Sequence, residues 1–185
     1  DGDDGQAAGR IFITAGGDVV IEHGSVASAQ GPAPSSGAGV QAMSVPGPGG
    51  GDATVALRAG GTLVLGGGTV ASSSAGGPVV MSAGSIVIDA DHLSGGEDVE
   101  LSAEDSITVA SGVTVSSRQI AGGDHADAAS TGSSGNIRLS APFIAIASNA
   151  RLLAHATGGH AAGAIELIAE DVDDSGLGEI GRAHV

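Results

Sequence analysis

Residues Gly96–Ser117, GEDVELSAEDSITVASGVTVSS, contain the pattern that decides the predicted fold. Apolar residues alternate with polar ones in three short runs, at Val99–Ala103, Ile107–Val109 and Val113–Val115. Because side chains i and i+2 lie on the same side of a strand, each run predicts a strand with one apolar side. The breaks between the runs are too short for helices but long enough for corners. Three short strands joined by two corners predict one turn of a solenoid.

The first of these runs occurs six times along the chain in the pattern [VI]-x-[LIM]-x-Ala. One small residue type at a repeated position predicts an internal ladder of stacked alanines, at Ala15, Ala59, Ala83, Ala103, Ala141 and Ala169. A second apolar run follows each Ala and fades in the last copy. Three residues after it, five copies have a residue that tolerates a left-handed backbone at low cost. These turn residues are Gly24, Gly68, Asp91, Gly112 and Asn149.

The copies divide the chain, residues 1–185, into six coils of a single domain. The coils are predicted at 9–29, 52–74, 77–94, 96–117, 135–156 and 163–174, with inserts at 30–51 and 118–134. Both inserts follow a third run, so they should emerge along one edge. Insert 30–51 contains four prolines, which favours a surface loop over a place in a sheet. Stacked coils of this length predict an all-β fold, a parallel β-helix.

The two ends of such a column would leave strand edges unpaired. No capping segment is evident in the sequence, and the chain opens at Asp1 without Met. We therefore expect a processed or excised piece of a longer protein, whose further coils are partners of these.

The composition suits a column of stacked aliphatic side chains. The chain has 34 glycines, two Phe, and no Trp, Tyr or Cys, whereas a globular core usually depends on aromatic bulk. Six arginines against 21 acidic residues give a net charge of −15, which argues against nucleic acid and anionic membranes as partners. An apolar run long enough for membrane insertion is absent from the sequence. The Lys-free, acidic composition is typical both of high-salt habitats and of GC-rich genomes.

The outward positions of the first two runs predict an interaction surface and an ion-pair column. The interaction surface consists of Phe12, Val20, Val64, Val80 and Val87. Because solvated faces are seldom so apolar, we predict that insert 30–51 or another chain covers it. Further along the first column, Glu100, Arg138 and Glu166 alternate in charge, which predicts cross-strand support on adjacent coils.

No residue pattern points to catalysis, and the chain is predicted not to be an enzyme. Motifs for nucleophilic, phosphate-binding or dinucleotide chemistry are absent, as are Lys and Tyr. Asp1 and Asp3 at the start, and Asp124 and Asp127 in insert 118–134, are candidate calcium ligands, although the closing Glu of an EF-hand is missing. Solvated carboxylates are the favoured interpretation. The histidines lack zinc-site spacing, and no other cofactor is predicted.

Two stretches, Gly96–Ser117 and SGNIRLSAPFIAIASNARLLA at Ser134–Ala154, resemble the haemagglutinin-type repeats of filamentous-haemagglutinin-like adhesins. Such proteins are often exported from Gram-negative bacteria by two-partner secretion. The similarity covers most of 9–171 outside the inserts, and the NPNL motif of the secretion domain is absent. The resemblance implies a right-handed β-helix at the cell surface or outside the cell, serving as the shaft of an adhesin. The residues themselves leave open a calcium- or ligand-binding module built on the inserts, and a self-assembling fibre or layer protein.

Overall fold

The chain folds into parallel β-strands. The computed structural model describes residues 10–22, 26–28, 38–42, 54–72, 77–90, 92–95, 98–117, 135–154, 161–173 and 179–181. All regular structure in these ranges is β, and every strand pair is parallel. Since these ranges hold no helix, they hold none that would span a bilayer. The prediction of an all-β chain with parallel strands is confirmed.

The strands stack in three ladders, one for each apolar run of the sequence repeat. The first ladder consists of β1 (Arg10–Ala15), β5 (Thr54–Ala59), β8 (Val79–Asp89), β10 (Val99–Val109), β12 (Ile137–Ser140) and β15 (Ile165–Ile168). The second consists of β2 (Val19–Ile21), β6 (Thr62–Gly66), the later parts of β8 and β10, β13 (Phe143–Ile146) and β16 (Asp171–Asp173). The third consists of β3 (Val26–Ser28), β4 (Ala38–Ala42), β7 (Gly68–Ser72), β9 (His92–Ser94), β11 (Thr114–Ser116), β14 (Arg151–Leu153) and β17 (Glu179–Gly181).

Inward side chains of all three ladders form one hydrophobic core. Leu57 on the first ladder, Leu63 on the second and Leu93 on the third are each 0% exposed and belong to the same buried cluster. Burial of a side chain of this size contributes about 1.5–3 kcal/mol. Both phenylalanines of the chain lie outside this core, since Phe12 is 66% and Phe143 is 39% exposed. The core is therefore aliphatic, as the composition predicts.

The first predicted corner is replaced by continuous strand in two coils. β8 and β10 each extend over 11 residues and contribute to both the first and the second ladder. Ala103 pairs with Ala83, whereas Ser106 pairs with Ser85, so residues 104–105 stand opposite Gly84 alone. An extra residue on one strand is a β-bulge, which bends the strand without ending it. In β10 the chain therefore turns through a bulge within a continuous strand, whereas the sequence predicts that the strand ends at this corner.

The third ladder contains a strand from the predicted insert. β4 lies between β3 and β7, so the interpretation of 30–51 as a surface loop is wrong for residues 38–42. The prolines at 32, 34, 46 and 48 flank this segment and leave all of its backbone donors in place. Val40 pairs with Val70 on one side and with Ala27 on the other. The repeat predicts that the third run of coil 9–29 pairs directly with β7, but β4 lies between them. The rest of the insert, and all of insert 118–134, lie outside the described residues.

The six alanines occupy equivalent places along the first ladder, at or just after the point where the first apolar run ends. Ala15 pairs with Ala59, and Ala83 pairs with Ala103. Ala141 and Ala169 directly follow Ser140 and Ile168, which pair with each other. Ala59, Ala83 and Ala141 are buried, while Ala15, Ala103 and Ala169 are partly buried against the core.

A left-handed residue precedes the third ladder in each coil where that turn is described. Gly112 has φ 79° and Asn149 has φ 60°, which confirms both as turn residues. The Val113 N–H donates to the Ala110 carbonyl at 3.4 Å, closing the first of these turns. In coil 52–74 the left-handed residue is Gly67, with φ 57°, so the prediction of Gly68 is wrong by one position. The other two predicted turn residues, Gly24 and Asp91, lie outside the described residues.

Candidate interaction surface

Outward side chains of the first ladder form a column that changes character halfway along. The column reads Phe12, Ala56, Val80, Glu100, Arg138 and Glu166, each the register partner of the next. This is the order that the period-two alternation predicts, because parallel pairing carries each position onto the equivalent position of the next coil. Three apolar residues are thus followed by three charged ones.

The second ladder carries a similar column. It reads Val20, Val64, Val87, Thr108 and Ala145, again in register from strand to strand. The valines of this column again lie in the N-terminal half. The two columns therefore place Phe12 and their valines within the same three coils.

These apolar residues form what we call the N-terminal patch: Phe12, Val20, Val64, Val80 and Val87. Phe12 is 66% and Val20 is 55% exposed, while the three other valines are partly buried. The described part of insert 30–51 does not cover the patch, because β4 is a strand of the third ladder. The patch thus presents apolar surface of the kind that soluble proteins use for contacts.

Two arginines bracket Phe12, a pair that the alternation of apolar and polar residues alone does not indicate. Arg10 lies two residues before Phe12 on the outward side of β1. Arg58 is the register partner of Thr14, two residues after Phe12. Both arginines are exposed, and neither forms an ion pair with another described residue. The repeat register would have revealed this arrangement, since it aligns Thr14 with Arg58.

The outward side of the first ladder is positively charged in its N-terminal half. Its outward residues on β1, β5 and the first part of β8 are Arg10, Phe12, Thr14, Thr54, Ala56, Arg58, Val80 and Ser82, and none is acidic. The chain as a whole carries a net charge of −15. A positive surface with an apolar centre on so acidic a chain favours a partner with carboxylates.

A glycine corner adjoins the N-terminal patch. A Cβ on Gly60 would clash with the carbonyl oxygen of Gly16, and a Cβ on Gly61 would clash with the carboxylate of Asp18. That carboxylate accepts a hydrogen bond from the Thr62 N–H at 2.7 Å. The absence of side chains therefore lets two coils approach closely and lets one carboxylate cap the start of the next strand.

The C-terminal half of the same ladder carries an exposed ion pair. The Arg138 Nε lies 3.6 Å from Glu166 Oε2, and the two side chains are 53% and 56% exposed. Glu100 is the register partner of Arg138 on the opposite side. Exposed pairs of this kind contribute about 0–1 kcal/mol, so this column supports register more than stability.

A bridge of polar side chains links three coils just before the strands β10, β12 and β15 begin. The Asp98 carboxylate accepts hydrogen bonds from the Asn136 backbone N–H at 2.6 Å and from its Nδ2 at 3.2 Å. The Asn136 side-chain oxygen then accepts one from the Ala164 N–H at 2.9 Å. The sequence signal was present, because Asp98 and Asn136 each precede the first apolar residue of a run, where Asp and Asn bond to nearby backbone.

A shallow cleft lies between this bridge and the ion pair. Its volume is about 130 Å³, and it is lined by Asp98, Glu100, Asn136, Ile137, Arg138, Ala164 and Glu166. Sites for small molecules usually measure about 300–1,000 Å³. Among the described residues, no three acidic or histidine side chains are grouped so as to hold a metal ion. The cleft therefore offers room for solvent but little for a ligand.

The candidate calcium ligands Asp1, Asp3, Asp124 and Asp127 lie outside the described residues. Solvated carboxylates therefore stay the favoured interpretation of these residues, and calcium binding stays the alternative. The predicted lack of catalysis also stays a prediction, and His125, His155 and His160 lie outside the described residues.

Comparison with known proteins identifies no relative of this chain. No protein-family model matches it, and neither a curated protein nor a solved structure matches it. Its function must therefore be inferred from its own residues and geometry.

Proposed function

We propose that the chain is a shaft segment of a large bacterial surface or secreted fibre protein, of the filamentous-haemagglutinin-like adhesin type. In this proposal the three ladders close around their common core as a right-handed parallel β-helix. The observation that carries it is the unbroken run of parallel registers from β1 to β15 over an aliphatic interior. Such a column is long and stiff, and the residues on its outer surface can vary without changing its interior.

The two terminal strands of the first ladder support this proposal. Ile11 and Ile13 on β1 are partly exposed, whereas Val55 and Leu57, their register partners on β5, are 0% exposed. Ile165 and Leu167 on β15 are likewise partly exposed, while the equivalent residues of β12 are buried. A further coil stacked on either strand would bury these side chains by the pairing used inside the ladder. The geometry therefore suits a column that continues in both directions.

The surface of the described coils also favours a passive, extended role. The cleft beside Arg138 is small, at about 130 Å³, and it opens between side chains of neighbouring strands. Binding and catalytic sites are usually concave and partly apolar. The strong net negative charge keeps such a segment soluble outside the cell.

Antibodies raised against the 185-residue chain test the proposed location. We expect them to label intact cells of the source organism or to detect the protein in the culture medium. Labelling that appears only after lysis would overturn the surface assignment. An experimental structure of the whole chain tests the architecture, since an open sheet or a left-handed winding would contradict the proposed β-helix.

A further inference from the structure

We propose that the N-terminal patch, together with Arg10 and Arg58, binds the outward side of β15 in a second copy of this chain. The contact would join shafts side to side. It goes beyond the shaft function and is independent of it, since a shaft needs no lateral contact and a laterally associating protein need not be an adhesin.

The first of the two surfaces has an apolar centre between two positive charges. Phe12 is the centre, and it is the most exposed large apolar side chain among the described residues. Arg10 lies two positions before it, and Arg58 lies beside the position two residues after it. Because a strand rises about 3.3 Å per residue, the charged ends of this surface are about 13 Å apart along the strand direction.

The second surface has the opposite charges on either side of an apolar residue. Glu166, Ile168 and Glu170 alternate outward on β15 and at its end. Ile168 is 38% exposed, and Glu166 is 56% exposed. Glu166 and Ile168 of β15, with Glu170 at the bend two residues beyond, supply an anion, an apolar centre and an anion over a span of at most about 13 Å. The two surfaces therefore match in sign and in the position of the apolar group.

Contact between these surfaces would have the composition of a small interface. Phe12 and Ile168 would pack at the centre, and arginine–carboxylate pairs would lie on both sides, as in interfaces with an apolar core and a polar rim. Arginine suits these positions, because its guanidinium group binds a carboxylate in a bidentate manner. Glu166 would keep its long, exposed contact with Arg138 while accepting a second guanidinium group.

The two surfaces belong to different copies. β1 and β15 are the first and last strands of a ladder of six, so five strand spacings of about 4.8 Å separate them within one molecule. A contact between unlike surfaces is heterologous, and each copy keeps one surface of each kind free for another neighbour. Such contacts extend an assembly unless their rotation closes a ring.

The contact would be weak. It covers little more than the width of one or two strands on each side, well below the roughly 800 Å² per partner of a standard stable interface. The net charge of −15 on each copy adds a long-range repulsion, which salt screens. We therefore expect association at moderate ionic strength and at protein concentrations of about 10 µM to 1 mM.

Sedimentation equilibrium of the full chain tests the proposal, using charge-reversed variants. R10E/R58E and E166R/E170R should each weaken association about tenfold or more. An equimolar mixture of the two should recover it, because opposite charges then face each other both between the two reversed surfaces and between the two unchanged ones. R10E should weaken association more than R151E, which makes the same charge change at an exposed position on the third ladder. Circular dichroism checks that each variant keeps its strand content.

Three results would overturn the proposal. The first is a chain that stays monomeric over the whole concentration range. The second is equal loss of association in R10E and R151E, which would assign the effect to net charge alone. The third is a mixture of the two double variants that stays as dissociated as either alone. If the monomeric chain instead bound an acidic peptide with Glu-x-Ile-x-Glu spacing, the patch would belong to a different protein partner.

Discussion

The two halves of the first ladder share an interior and differ outside. Leu57 in the N-terminal half and Leu139 in the C-terminal half are both 0% exposed and belong to one core. On the outward side, the first half presents Phe12 between arginines, and the second presents an ion pair and a bridge of polar side chains. The inward alternation therefore sets the fold, while the outward column can change in character from one half to the other.

The corner that joins the first ladder to the second also differs between the two halves. In the N-terminal half it is built from glycines so tightly that a Cβ on Gly60 would clash with the coil below. In the C-terminal half the equivalent place holds the bulged residues 104–105 and Pro142. Coils can thus approach closely at a corner of glycines or turn more widely through a bulge, and the ladder continues in both cases.

The largest expected effects test whether the interior is the same in both halves. Leu57→Ala and Leu139→Ala should each lower the free energy of unfolding by about 2–5 kcal/mol, since each leaves a cavity in a packed core. Urea unfolding followed by circular dichroism measures both. Tolerance of one substitution and not of the other would show that the halves do not share one continuous core.

The next prediction concerns the glycine corner. Gly60→Ala should destabilise the protein by about 1–3 kcal/mol, because the new Cβ would meet the backbone of Gly16. Gly16→Ala is the matched control, since a Cβ there meets nothing within 4 Å and should change stability by less than about 0.5 kcal/mol. Glu104→Ala should behave like the control. Equal losses in the two glycine variants would remove the distinction between the corners.

A smaller effect is expected at the polar bridge. Asp98→Ala removes the acceptor for two donors of Asn136 and should cost about 1 kcal/mol in the free energy of unfolding. Asp89→Ala is the control, because Asp89 is exposed and its side chain makes no hydrogen bond to the described residues. Thermal unfolding at constant pH compares the two variants. If both behaved alike, the bridge would contribute no more than general surface charge.

The smallest effect is expected at the ion pair. Glu166→Gln should change the free energy of unfolding by no more than about 0.5 kcal/mol, because both partners are more than half exposed. The small difference should disappear in about 1 M salt, where exposed charges are screened. Urea unfolding at low and high salt measures it. A loss above about 1 kcal/mol would mean that the charged column stabilises the C-terminal half and does more than keep its register.

The alternation of the sequence was sufficient to predict the ladders and their outward columns. Parallel pairing repeats a position from coil to coil, so Phe12, Val80 and Glu100 could be placed in one column without coordinates. The left-handed residues Gly112 and Asn149 were predicted for a related reason, since few residue types tolerate that backbone.

Features that depend on side chains far apart in sequence, on neighbouring coils, were missed. The hydrogen bond from Asn136 to Asp98 spans 38 residues, and the Thr62–Asp18 bond spans 44. A period-two pattern reports which side of a strand is apolar and carries no information about such bonds. β4 was missed because the prolines on both sides of 38–42 dominate the local pattern, although the five residues between them include none.

The presence of β4 makes one end of the described stack of strands uneven. Beyond the coil of β5, β6 and β7, the first and second ladders each add one strand, whereas the third adds β4 and then β3. Among the described strands, the third ladder is therefore longer at this end by a single step of about 4.8 Å. A segment that continued all three ladders here would have one rotational setting in which its strands pair with β1, β2 and β3 together.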